Sequence, residues 1–135
     1  MSFQHSLSAG AATVGAFDTL PAEDRFLVSL FRGVREARRD SDVARIAGQL
    51  LAMLQSHGRR PLLSHSNSCN CVGADEAIFV QFVRLAAQGQ REDATLMALL
   101  MIRAEVAPLA VSLAEQLGLL VQMLARVDAL HVPYH

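Results

Sequence analysis

The stretch from Pro108 to Val127, PLAVSLAEQLGLLVQMLARV, decides the fold class. Proline fits the first turn of a helix, where its missing N–H has no partner to lose, and disrupts a helix interior. Beyond it Val111, Leu113, Leu117, Leu119, Leu120, Val121, Met123, Leu124 and Val127 cover nearly the whole helical circumference, and the helix is expected to run to about Leu130. A helix apolar all round is either central to a bundle or buried in a second chain.

The segments before it repeat the helical period. Arg91, Glu92 and Asp93 open a fourth helix with Leu96, Leu99, Leu100 and Ile102 inward. Ahead of that, Ala74, Asp75 and Glu76 place acidic groups at the positive end of a third helix, which Gly89 closes. Within it Ile78 to Val83 has the look of a strand, but the acidic start and the continuing Leu85, Ala86 and Ala87 favour helix. Ser41 caps a second helix striped by Val43, Ile46, Ala47, Leu50, Leu51 and Leu54, ended by Gly58 and Pro61. Asp18, Thr19 and Pro21 announce a first, with Leu27, Leu30, Phe31 and Val34 in register to about Arg38 or Arg39. The expectation is an all-α, single-domain bundle of about five helices, residues 18–135, behind a flexible N-terminal arm, residues 1–17, that carries no charge.

Composition agrees. The chain has 21 Ala and 20 Leu against 18 Val, Ile and Thr together, a balance that favours helix. With 52% hydrophobic and 19% charged residues, disorder is excluded as the main state. All 12 basic residues are arginine, so Schiff-base chemistry and a P-loop lysine are ruled out. A net charge of −1 supplies no field for steering toward nucleic acid or an anionic membrane. Uncharged apolar runs such as Gln116 to Ala125 fall short of the roughly 20 residues of a bilayer span. A cytoplasmic protein is expected, and reducing cytosol keeps Cys69 and Cys71 as thiols unless a metal or redox partner takes them.

Residues 58–73 are the one long internal loop, and both cysteines of the chain fall in it with His65. Loops of this length within a compact domain are uncommon unless functional or disordered. Two thiolates and an imidazole suit zinc, which takes four sulfur and nitrogen ligands in a tetrahedron. His65, Cys69 and Cys71 are thus the candidate metal ligands, with His57, Asp75, His131 or His135 as the candidate fourth. The single residue between the cysteines is shorter than the usual spacing of two to four. The His-x3-Cys-x-Cys pattern resembles, one residue short and over this loop alone, the His-x3-Cys-x2-Cys of zinc-binding anti-sigma domains. A redox-active thiol pair and two plain buried thiols beside a polar histidine compete with the metal reading.

Other signals carry less. Ala114 to Gly118 has the small-residue spacing of a helix-turn-helix, but Leu119, Leu120, Val121 and Met123 stand where base-reading side chains belong. Arg32, Arg35, Arg38 and Arg39 are interleaved or flanked by Glu23, Asp24, Glu36, Asp40 and Asp42, which reads as a solvated, salt-bridged face. No Ser, His and acid constellation or phosphate-binding loop is present, and enzyme activity is not expected. The sequence therefore points to a small helical regulatory or interaction protein, homodimeric through its last helix, with a loop-borne zinc site. A metal-free helical adaptor or scaffold dimer is the alternative, and a thiol redox protein the third.

Overall fold

The computed structural model of the protein describes residues 9–33 and 42–127. Among them five α-helices form, α1 (Ala22–Phe31), α2 (Asp42–Ser56), α3 (Ala74–Ala87), α4 (Arg91–Leu99) and α5 (Ala107–Arg126), so the all-α reading holds. The first helix is shorter than the apolar period suggests. Gly33, at φ 93°, turns the chain out of helix and its N–H caps the Leu30 carbonyl, ending α1 at Phe31. Arg35, Arg38 and Arg39 lie outside the described residues.

α3 is the centre of the bundle. Its Phe79, Phe82 and Val83 are fully buried; α5 and α4 pack against it, and Phe31 of α1 meets Phe79 with ring centroids 5.0 Å apart. Arg84 of α3 also grips both carboxylate oxygens of Asp24 on α1 at 2.5 Å. α5 buries Ala107, Ala110, Val111, Ala114, Leu117, Gly118 and Val121 against α3 and α2. Its other side remains open. Leu109, Leu119, Met123 and Val127 are 57%, 48%, 50% and 66% exposed, so the described residues cover only one face of the helix. The helical stretch Ala104–Arg126 also has the length and apolarity of a bilayer span, which counting uncharged runs overlooks. Its packing on α2 and α3 gives that apolarity a second cause, because a core helix passes the same measure.

One feature departs from the helical pattern. Thr13–Ala16 (β1) and Cys71–Gly73 (β2) form a two-stranded antiparallel sheet, with Thr13 opposite Gly73 and Ala16 opposite Cys71. Residues 9–17, assigned to a flexible arm on composition, are therefore tied to the domain; Gly10 and Phe17 are buried, and residues 1–8 lie outside the described residues. Neither strand has an alternating apolar pattern, and the pairing joins segments nearly sixty residues apart, so no local signal announces it.

Candidate functional site

The loop of residues 58–73 runs across the start of α3 and is stitched to it by two buried carboxylates. Asp75 accepts two bonds from Arg60, at 2.8 and 2.6 Å, and one from the Leu63 N–H at 2.9 Å. Glu76 accepts from Arg32 Nε at 2.7 Å and from the N–H groups of His65 and Gly73 at 2.9 and 3.0 Å. The Gly73 bond is the Glu half of a capping box, from a Glu three residues into the helix; glycine has no side chain to make the other half. Burial pushes both carboxyls up. Their bonds and arginine partners pull harder, and Asp75 and Glu76 both lie below the usual carboxylate range.

Arg32 does more than neutralise Glu76. Its guanidinium also donates to the carbonyl oxygens of Cys69 at 3.1 Å and Cys71 at 2.5 Å, and it lies over the Phe17 ring, 5.2 Å from the centroid. Only 2% of its side chain is exposed, which corrects the solvated face expected for this arginine. Asn70, between the cysteines, is held from the opposite side. Its carbonyl accepts the Phe17 N–H at 3.2 Å and its side-chain oxygen the Asp18 N–H at 2.8 Å. The Cys-Asn-Cys backbone is thus fixed on both sides by groups that do not involve sulfur.

His65 closes the site. Nε2 lies 2.8 Å from the Ala11 carbonyl, which only accepts, so Nε2 carries the proton and the Nδ1 lone pair faces the cysteines. Cys71 Sγ is 3.1 Å from Nδ1 and Cys69 Sγ 4.0 Å. Gly73 makes room for the imidazole, since a Cβ there would stand 2.8 Å from His65 Cδ2. The three candidate ligand atoms fall within 4.8 Å of one another, close enough to hold a metal ion, and all three residues are half-buried. The two sulfurs are joined as a Cys69–Cys71 disulfide, with Cα atoms 5.3 Å apart.

Two of the candidate fourth ligands, Asp75 and His57, do not join this cluster. Asp75 spends both oxygens on Arg60 and Leu63, and His57 is exposed at the end of α2, where its carbonyl accepts the Arg103 N–H. His131 and His135 lie outside the described residues. Arg59, at the start of the loop, donates to the Ile102 carbonyl at 2.9 Å. Sequence reasoning missed Arg32, Glu76 and Ala11 as positioning groups. Glu76 left a trace, three residues past a glycine at a helix start, but nothing local links Arg32 or Ala11 to the loop.

No protein-family model, curated protein or solved structure matches this chain.

Proposed function

We propose that this is a small cytoplasmic helical regulatory or interaction protein whose reduced loop binds zinc through His65, Cys69 and Cys71. The observation that carries the reading is the convergence of three ligand atoms within 4.8 Å on a loop whose backbone is fixed independently of them. The donor set fits, because one imidazole and two thiolates are common zinc ligands. The orientation of His65 fits as well. Metal-bound histidines typically donate their other ring N–H to a carbonyl or carboxylate, as Nε2 does to Ala11. Zinc requires the dithiol form, since the disulfide sulfurs are no longer thiolates. Bound metal would tie the loop to β1 through Ala11 and to α3 through the His65 N–H on Glu76.

Reduced protein titrated with zinc against a chromophoric chelator is expected to take up one equivalent. Cys69→Ser with Cys71→Ser should abolish that uptake. Substoichiometric zinc, or uptake unchanged in the double variant, would overturn the assignment.

The partner we propose is a second copy, docked through the outer face of α5. Exposed Leu109, Leu119, Met123 and Val127 support this, as one apolar face set against its twin removes both from water. The same face supports the second reading, a metal-free adaptor or scaffold dimer. Light scattering at micromolar concentration should give twice the 14.6 kDa chain mass. Leu119→Glu with Met123→Glu should return the protein to monomer; wild-type protein already at 14.6 kDa refutes the dimer.

A further inference from the structure

We infer that Cys69 and Cys71 form a hydroperoxide-responsive switch, with Cys71 the attacking sulfur, His65 its base and Cys69 the resolving thiol. The inference rests on the zinc reading only for its consequence, loss of metal, because the sulfur chemistry itself needs none.

Three observations support it. The disulfide already fits the fold, with a Cα separation of 5.3 Å inside the ordinary range for such bonds. The backbone that presents the two sulfurs is held by Arg32 on both cysteine carbonyls and by Phe17 and Asp18 on Asn70. Reduction breaks none of these bonds, so the thiols stay opposed and closure is an intramolecular step with a high effective concentration. Finally, the Nδ1 lone pair of His65 is 3.1 Å from Cys71 Sγ but 4.0 Å from Cys69 Sγ, an asymmetry that assigns the two roles. Half-buried sulfurs beside β1 favour a small oxidant over a bulky disulfide.

The steps balance. The Cys71 thiol gives its proton to His65 Nδ1, and the thiolate attacks the terminal oxygen of a hydroperoxide, breaking the O–O bond. Sulfur is oxidised by two electrons to a sulfenic acid, and the departing alkoxide or hydroxide takes the proton from Nδ1 and leaves as alcohol or water. Cys69 then attacks the Cys71 sulfur; the S–S bond forms, the S–O bond breaks, and hydroxide leaves with the Cys69 proton as water. One dithiol and one hydroperoxide become one disulfide, one alcohol and one water. The product lacks the two thiolates that zinc needs.

The test starts from reduced full-length protein freed of metal by chelator and treated with one equivalent of hydrogen peroxide. Intact mass and thiol titration should show both thiols lost as an intramolecular disulfide. Cys69→Ser should accumulate a Cys71 sulfenic acid captured by dimedone, and both Cys71→Ser and His65→Gln should react at least about tenfold more slowly. Circular dichroism confirms that each variant is folded. Two free thiols after peroxide, equal reactivity of the two serine variants, or faster oxidation by glutathione disulfide than by peroxide would overturn the proposal. A separate arm adds peroxide to zinc-loaded protein and reads metal release; if zinc never binds, the metal reading fails while the metal-free arm still decides the switch.

Discussion

Glu76→Gln is expected to lower the unfolding free energy by about 3–5 kcal/mol, the cost of removing one partner from a buried ion pair. The side chains of Glu76 and Arg32 are 0% and 2% exposed, so water cannot replace the lost charge. Glutamine keeps the shape of the carboxylate but leaves the Arg32 guanidinium uncompensated and offers one acceptor oxygen where Arg32, His65 and Gly73 need two. Because a domain of this size has about 5–15 kcal/mol in all, urea midpoints should fall sharply. Asp24→Asn is the contrast. Its partner Arg84 is 41% exposed, solvent screens the pair, and about 1 kcal/mol or less is expected.

The acid limb of stability provides a second readout. The folded pKa values of Asp75 and Glu76 lie below their ordinary values of 3.8 and 4.5. Lowered acids stabilise the fold fully above the ordinary values, and the contribution is lost as pH falls through them toward the folded ones. Wild-type urea midpoints should therefore hold down to about pH 5 and drop below about pH 4.5, whereas Glu76→Gln should show a shallower drop. Parallel curves would show that Glu76 is not a source of the acid sensitivity.

Gly118→Val should be about as damaging, and its cause is steric. A Cβ at Gly118 would stand 2.6 Å from Ala87 Cβ, 3.0 Å from the Val83 carbonyl and 3.2 Å from Val83 Cγ1. Two of these neighbours cannot swing aside, one being backbone and the other a methyl fixed to it. Alanine here gains about 1 kcal/mol of helix propensity but sets it against about 1–3 kcal/mol of overpacking, so a small net loss is expected. Valine forfeits most of the propensity gain and adds two methyls at the α3–α5 contact, raising the expected loss to about 3 kcal/mol or more. Gly48 of α2 meets nothing within 4 Å, so Gly48→Ala should instead stabilise by up to about 1 kcal/mol. Thermal melts of the three variants test the contrast. Equal stabilisation by Gly48→Ala and Gly118→Ala would mean that the helices part at no cost.

The residues of the candidate site were unequally readable. His65, Cys69 and Cys71 stand within seven positions, so clustering alone exposed them, and the fold brings all three together. Asp75 and Glu76 read as an acidic helix start, which they are; full burial and the arginine partners reach them from 15 and 44 residues away. The arm residues gave no sign of a role because Ala11 acts through its backbone carbonyl, a group every residue carries. Asp75 drops out as a fourth ligand for a related reason: residue type marks what a side chain is able to bind, while its partners in space, here Arg60 and Leu63, decide what remains free.

By itself the sequence determined the helical class and the approximate place of the five helices, because amphipathic period and breakers act over a few residues and need no tertiary partner; the end of α1 at Phe31 was not among these. It also located the loop and its sulfur and nitrogen donors, through composition. Only the tertiary structure decided that Arg32 is buried on Glu76, that β1 pairs with the end of the loop, and that one apolar face of α5 stays uncovered among the described residues. These depend on contacts between segments far apart in the chain, where the partner a group meets decides whether its burial is offset, and a single side chain carries no local mark of that partner.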